Sequence, residues 1–496
     1  MLFNSPEFLF FFLPLVLTLA LWAKNTSRDL LVVTLLAFSI LFYYAGAAGL
    51  TLVLLVSVIV NFIFAKGIAR FPSSSGTLLF LGIAFNLTLL CHFKYATFLV
   101  GELANIGVDI HWSNDAILPI GISFYTFQQI AYLVDIHRRE SVDTSFLRYF
   151  LFVSFFPQLI AGPIVHHREM MPQFAQPQQE MWSDLSAGLS IFIIGLFKKV
   201  AIADALSPTV AASFGMAENG GEIGAAVAWY AAMAFALQIY FDFSGYSDMA
   251  VGLGRMFGIH LPINFASPYK ADSIDDFWRR WHVTLSRFLR DYLYIPLGGN
   301  RLTRHRRIVN VLVTMLLGGV WHGAGWTFLL WGALHGAFIT VHILWRGTSL
   351  RVAFIRIFGT GWAAFARAAT LLAVLVAWVP FRASGISPTM EIWLAMIGMN
   401  GLQPAQLTSV GIGTRQISGM AIAWAIALFA PNAYQLLASY RLGTPSPGYP
   451  STSIADAPKW VQPIIGTWSH ALILGALFFV IFIQLNDPSE FLYFDF

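Results

Sequence analysis

The sequence predicts an all-α polytopic membrane protein folded as one domain, and three observations carry that prediction. Of its 496 residues, 57% are hydrophobic and only 11% charged, whereas a soluble domain carries roughly 25% charged residues. Apolar runs of spanning length recur from end to end, with no long polar region to set off a soluble module. Lys and Arg gather in short clusters between those runs, as in cytoplasmic loops. That placement also explains the net charge of +4 without invoking nucleic acid.

Runs near 7–23, 29–45, 48–65, 77–99, 116–136, 184–203, 223–241, 326–345, 365–381, 418–438 and 463–485 each approach the ~20 residues a bilayer requires. The first lacks a basic n-region and a small-x-small cleavage site, so it reads as a retained span. Lys24 and Arg28 follow it, Lys66 and Arg70 follow the third, and Arg138 and Arg139 follow the fifth. These loops are expected inside, with the N-terminus outside. Two runs are short or broken. In FFPQLIAGPIVHH, Pro157, Gly162 and Pro163 interrupt 146–161. Were it to cross, the basic stretch Arg279 to Arg307 would lie outside, so a dip and return is expected. The second is 309–321, ending at the Gly-broken WHGAGW. Irregular backbone at this depth requires protein or a water-filled cavity around it, so a cavity inside the bundle is expected. The chain thus reads as N-terminal helices over 1–136, a core over 146–383 and C-terminal helices over 418–485. Residues 441–462 are a Pro/Ser-rich connector, and there is no internal repeat.

Between spans lies SIDDFWRRWHVTLSRFLRDYL, Ser273 to Leu293. Ser273 and Asp276 resemble a capping box. At 100° per residue Trp278, Trp281, Leu285, Phe288, Leu289 and Tyr292 share one face, and Arg279, Arg280, Arg287 and Arg290 the other. An interfacial helix over 273–292 is expected. His282 falls beside Leu289, which points it into the bundle. It either anchors the interface in the headgroups or sits at the mouth of a cavity. The arginines serve topology and anionic lipid, or dock a phosphate-bearing substrate.

Ile308 to Trp345 is a run of 38 residues without Asp, Glu, Lys or Arg that nonetheless holds His322, His335 and His342. Hydrocarbon satisfies neither nitrogen of an imidazole, so each needs a partner or a purpose. His322 sits where glycines interrupt the segment, whereas His335 and His342 lie seven apart on one helix face, where packing suffices. Asp242 and Asp248 in YFDFSGYSDMAVGLG read as locks of a cavity wall in preference to a proton relay. His111 and Asp115 spell H-x-x-x-D in a short polar loop, where chance explains them. Ala250 and Gly254, Gly319 and Gly323, and Gly332 and Gly336 are spaced for close helix packing. The lone Cys91 is expected to pack in the core. No G-x-S-x-G, Walker loop, H-E-x-x-H or cysteine ligand set occurs, so no metal site is expected.

Taken together, FFPQLIAGPIVHHREMMPQF, GLFKKVAIADAL, YFDFSGYSDMAVGLGRMFGIHLPINFASPY, DDFWRRWHVTLSRFLRDYLYIPLGGNR, GGVWHGAGWTFLLWGALHG and WVPFRA, in that order from Phe155 to Ala383, resemble the membrane-bound O-acyltransferase family and its bacterial alginate O-acetyltransferase branch. The resemblance implies a ring of roughly eleven spanning helices around a tunnel. It matches the family's histidine pair to His282 and His322, with His322 the catalytic member. A neutral His322 would take the proton of an attacking hydroxyl and His282 would orient the donor or assist. Trp321 and Trp326 would wall the tunnel against water, while Arg279, Arg280 and Arg287 lie near the donor's phosphates and Asp242 lines the substrate site. The implied donor is acetyl-CoA as a co-substrate, with no bound cofactor. The final acceptor is a secreted polysaccharide such as alginate, reached through a periplasmic SGNH-type transferase, with this chain in the bacterial inner membrane. Cell-wall polymer, lipid, protein and D-alanyl chemistries also occur among such relatives. A transporter with broken helices lining its pathway is the rival from another class.

Overall fold

The computed structural model describes all residues except 109, 111–116, 141–143, 176–180, 302, 441–465, 486–488 and 493–496, and is almost entirely helical. The H-x-x-x-D pattern and the 441–462 connector lie outside the described residues. The chain opens with α1 (Leu13–Thr26), extended by the π-helical turn Phe8–Phe12, then α2 (Arg28–Ala47) and α3 (Thr51–Arg70). Next come α4 (Ser75–Leu90) and α5 (Ala96–Asn105), joined by the π-helical turn Cys91–Tyr95, and α6 (Ile122–His137). Seven stretches among the described residues are long and apolar enough to cross a membrane: Phe8–Thr26, Arg28–Arg70, Pro72–Asn105, Met181–Glu218, Ala225–Met256, Trp326–Trp345 and Ser349–Arg382. Arg28–Arg70 holds two 20-residue helices that reverse at Ala48, where φ is 33°. The remaining expected spans are present as shorter helices: α6 with 16 residues, α21 (Thr414–Phe429) with 16 and α23 (Trp468–Phe482) with 15. At 1.5 Å per residue each is under about 25 Å, less than the ~30 Å hydrocarbon core.

The interrupted run forms α7 (Phe146–Ser154), α8 (Phe156–Leu159) and, after an irregular turn, α9 (His167–Ala175). None spans, and residues 151–167 are all buried. Their freed backbone groups find protein partners, as depth requires. Phe156 N donates to Ser39 Oγ at 3.1 Å and Ile164 N to Thr284 Oγ1 at 2.9 Å.

The centre is α12 (Ala225–Met256), whose residues are nearly all buried. It crosses α10 (Met181–Phe197), which a π-helical turn, Lys198–Ala203, joins to α11 (Asp204–Glu218). A Cβ on Gly188 would meet Gly252 O at 2.6 Å, and one on Gly195 would meet Gly245 O at 2.6 Å. Only glycine admits this approach. The same device joins α15 (Arg304–His322) to α16 (Trp326–Trp345). A Cβ on Gly319 would lie 2.4 Å from Phe328 O, and one on Gly332 would lie 2.5 Å from Met315 O. Gly332→Ala is therefore expected to cost about 1–3 kcal/mol through overpacking. Thermal unfolding in detergent checks it; an unchanged midpoint would show that the pair separates freely.

The expected interfacial helix over 273–292 is not one helix. It is α13 (Ile274–Trp278), a turn over 279–282, α14 (Val283–Leu289) and a π-helical turn, Arg290–Tyr294. Helical periodicity overestimated its regularity, because tertiary bonds pull the chain out of helix. Val283 N donates to Asn264 O at 3.0 Å, Ala266 N to Arg280 O at 2.9 Å, and His282 adopts φ 42°. The Ser273 cap is present, accepting from Asp276 N. The chain continues through α17 (Ser349–Phe358), α18 (Trp362–Arg382), α19 (Ile386–Met396), α20 (Gln406–Ser409) and α22 (Ala433–Leu436). Cys91, expected in the core, is exposed at the end of α4.

Candidate active site

His322 is the last residue of α15, and Gly323 leaves the helix in extended conformation (φ −164°, ψ 157°). The expected interruption thus falls after the histidine, so a rigid helix carries it and its ring projects from a helix end. The side chain is buried among aromatic rings. Trp331 meets it edge-on at 4.8 Å and Phe381 at 5.2 Å, with the neighbouring Trp321 ring at 4.9 Å. Trp321 and His322 line a cavity of about 70 Å³ with Lys94, Ser123, Phe124 and Ile160, space for roughly two water molecules.

His282 approaches from the other side of Trp321, ring to ring at 6.2 Å, and is fully buried. Its Nδ1 lies 3.0 Å from Asn264 Oδ1. The same oxygen accepts from the Thr284 hydroxyl at 2.9 Å and the Thr284 backbone N–H at 3.3 Å. A backbone N–H can only donate, which fixes this atom as oxygen. His282 Nδ1 therefore carries a proton, and in the neutral ring Nε2 is the basic nitrogen. Asn264 is itself held at Ser247 Oγ, 3.1 Å away. His282 thus points inward as expected, through a left-handed turn held by Asn264 and not through helical phase.

His335 continues the row, 4.8 Å from Trp331 ring to ring. Its Nδ1 accepts from Trp278 Nε1 at 3.3 Å, which makes it a hydrogen-bonded strut. Beyond Trp278 a cavity of about 450 Å³ is lined by Arg279, Arg290, Arg307, Arg346 and His342, with Asp275. Arg307 Nε there meets no hydrogen-bond partner among the described residues. Another cavity of about 450 Å³, lined by Gln238, Thr327, Phe328, Phe381, Arg382 and Ser384, approaches His322 through Phe381. Aromatic rings divide the interior into separate chambers on either side of His322.

Several expected site residues are placed differently. Arg287 is buried, gives both terminal nitrogens to Glu169, at 2.7 and 2.8 Å, and does not line the basic cavity. Arg280 pairs with Asp276 and reaches Ala266 O, bracing the Asn264 loop. Of the three arginines only Arg279 lines the basic cavity, paired with Asp275 at 2.9 Å. Trp326 is 54% exposed and touches Phe98. The buried face of α16 runs through Thr327, Trp331 and His335, so Trp331 is the α16 tryptophan that meets His322. Asp242 is occupied by Lys199 at 2.7 Å and the Leu492 N–H at 3.0 Å, and Asp248 by Lys198 at 2.5 Å. Both lock α12 to its neighbours, as the structural reading expects.

Sequence reading missed Asn264, Trp331, Phe381 and Lys94. Lys94 had a signal, as the sole Lys, Arg, Asp or Glu in 77–99. Asn264 had a weaker one, a polar residue in the quoted HLPINFASPY.

Together these observations describe a multi-pass membrane protein with buried histidines between a cavity lined by four arginines and one lined by a single arginine. Residues 136–375 match the model of the membrane-bound O-acyltransferase family. A peptidoglycan O-acetyltransferase of Helicobacter pylori is 39% identical over all of this chain and 98% of its own length. A probable alginate O-acetylase of Azotobacter vinelandii is 39% identical over 85% of this chain and 84% of its own length. More distantly, a teichoic acid D-alanyltransferase of Bacillus subtilis is 27% identical over 47% of this chain and 60% of its own. The chain belongs to the membrane-bound O-acyltransferase family. It is an acyltransferase, which sets aside the transporter reading.

Proposed function

We propose that this chain transfers an acetyl group from acetyl-CoA, taken from the cytoplasmic side, to a hydroxyl presented from the opposite side, for O-acetylation of a cell-envelope or secreted polysaccharide. One observation carries the reading: His322 lies between a basic cavity and a second chamber reached past Phe381. The basic cavity suits a phosphate-bearing donor, since guanidinium groups match phosphate geometry. It also lies at the basic end of α15, which the positive-inside rule assigns to the cytoplasm of a bacterial inner membrane, leaving the N-terminus outside.

The residues divide the chemistry as follows. A neutral His322 accepts the proton of the acceptor hydroxyl as its oxygen attacks the thioester carbonyl. The tetrahedral intermediate collapses, the C–S bond breaks, and the imidazolium returns the proton to the departing thiolate. His282, its Nδ1–H fixed on Asn264, presents Nε2 as an acceptor and assists the proton transfer. Trp321, Trp331 and Phe381 keep bulk water from the thioester. The rings of Phe328 and Phe381 line the second cavity beside His322, and the acceptor there is the hydroxyl of a periplasmic SGNH-type transferase, which passes the acetyl group on.

The donor assignment is tested by Arg307→Gln and Arg346→Gln. Each removes a charge-assisted contact of about 1.5 kcal/mol, so KM for acetyl-CoA is expected to rise about tenfold with kcat within twofold. Unchanged KM in both would move the donor elsewhere. Mass spectrometry of envelope polysaccharides with and without this chain identifies the acceptor. Loss of O-acetyl groups is the expected result, and an unchanged acetyl content rules the acceptor class out.

A further inference from the structure

The C-terminal carbonyls of an α-helix have no partner within the helix, and α15 ends at His322 without a cap of its own, since Gly323 turns away. Its last three carbonyls are met from another part of the chain. In the π-helical turn Cys91–Tyr95, Lys94 Nζ donates to Trp321 O at 2.7 Å and to His322 O at 2.9 Å. The next residue, Tyr95, donates from its hydroxyl to Val320 O at 2.7 Å. Lys94 also lies 5.9 Å from the centre of the Trp321 ring, and it lines the small cavity alongside His322.

A charged side chain at this depth is costly and needs a compensating role. A cation at a helix C-terminus is favoured by the helix dipole, and three consecutive carbonyls held from outside fix both the position and the direction of the helix end. An ammonium has three donors; two are used on the backbone of Trp321 and His322, and the side chain reaches the cavity those residues line.

We propose that Lys94 is the positioning residue for His322: with Tyr95 it clamps the end of α15, so that the imidazole is held at the angle proton transfer requires. The inference rests on the reading of His322 as the base. It concerns kcat, because the clamp lies on the far side of the aromatic row from the donor cavity, and a misplacement of about 1 Å costs on the order of a hundredfold in rate.

The test compares Lys94→Met, Lys94→Arg, Tyr95→Phe and His322→Ala in proteoliposomes supplied with acetyl-CoA and a saturating hydroxyl acceptor. Lys94→Met is expected to lower kcat about a hundredfold with KM for acetyl-CoA within twofold. Lys94→Arg keeps a cation with several donors and is expected to recover at least about a tenth of wild-type kcat. Tyr95→Phe, losing one contact of three, lowers kcat severalfold. Wild-type kcat in Lys94→Met overturns the proposal, and so does Lys94→Arg as inactive as Lys94→Met when both are folded. Should Lys94→Met fail to accumulate in the membrane, Tyr95→Phe decides: reduced kcat at constant KM supports the clamp, and unchanged kcat overturns it. An inactive His322→Ala beside a fully active Lys94→Met defeats only this inference. A fully active His322→Ala defeats the reading of His322 beneath it.

Discussion

His322→Ala is expected to lower acetyl transfer about a thousandfold, within the 10²–10⁴ that a positioned acid or base contributes, while leaving protein level and KM for acetyl-CoA near wild type. The proposed base is lost, but the basic cavity behind Trp278, proposed for the donor, is untouched, because Trp331 and His335 stand between it and His322. The side chain packs against aromatic rings at the end of α15, so its removal opens a cavity without unfolding the bundle. Release of free CoA from labelled acetyl-CoA in purified membranes measures the effect. Equal release by wild type and variant would take His322 out of the mechanism.

Asn264→Leu is the second large effect, and it combines stability with rate. Oδ1 of Asn264 accepts from His282 Nδ1 and from both the hydroxyl and the backbone N–H of Thr284, in a fully buried setting. Leucine fills similar volume but leaves these donors unmet, at about 1–3 kcal/mol for each buried group. His282 also loses the bond that sets its tautomer. The expected outcome is a severalfold lower membrane yield and, in the protein that folds, kcat reduced about a hundredfold. Ser247→Ala, which loses only the bond from Asn264 Nδ2, should lie within a few-fold of wild type. If Asn264→Leu matched Ser247→Ala in both yield and rate, Asn264 would have no part in holding His282.

The reach of sequence reasoning followed the length scale of the physics. Spanning helices declare themselves through composition, and the broken segment before Pro157 through its prolines and glycines, so both were legible. Spacing also marked Gly319 and Gly332 as helix-packing residues, and the structure shows that they face each other between α15 and α16. The phase of the basic segment was not legible, because its break at His282 depends on backbone bonds to residues 264–266, which no local pattern reports. Arg287 illustrates the consequence: on a continuous helix it shares the solvent face with Arg279, but after the break it turns inward to Glu169. Asp242 shows the opposite case, since hydrogen-bonding neighbours favoured a lock and Lys199 supplies it. Lys94 was visible as a lone charge, yet its role needed the end of α15, more than 220 positions away in sequence, to be placed beside it.

The most direct test of donor and acceptor meeting at His322 from opposite sides uses sealed proteoliposomes of known orientation. Labelled acetyl-CoA is enclosed on the side of Arg307 and Arg346, and a hydroxyl acceptor, the proposed SGNH-type transferase, is supplied on the other. The expected result is label crossing to the acceptor in wild type and not in His322→Ala, with acetyl-CoA on the acceptor's side giving none. Transfer that requires donor and acceptor on the same side would contradict the account.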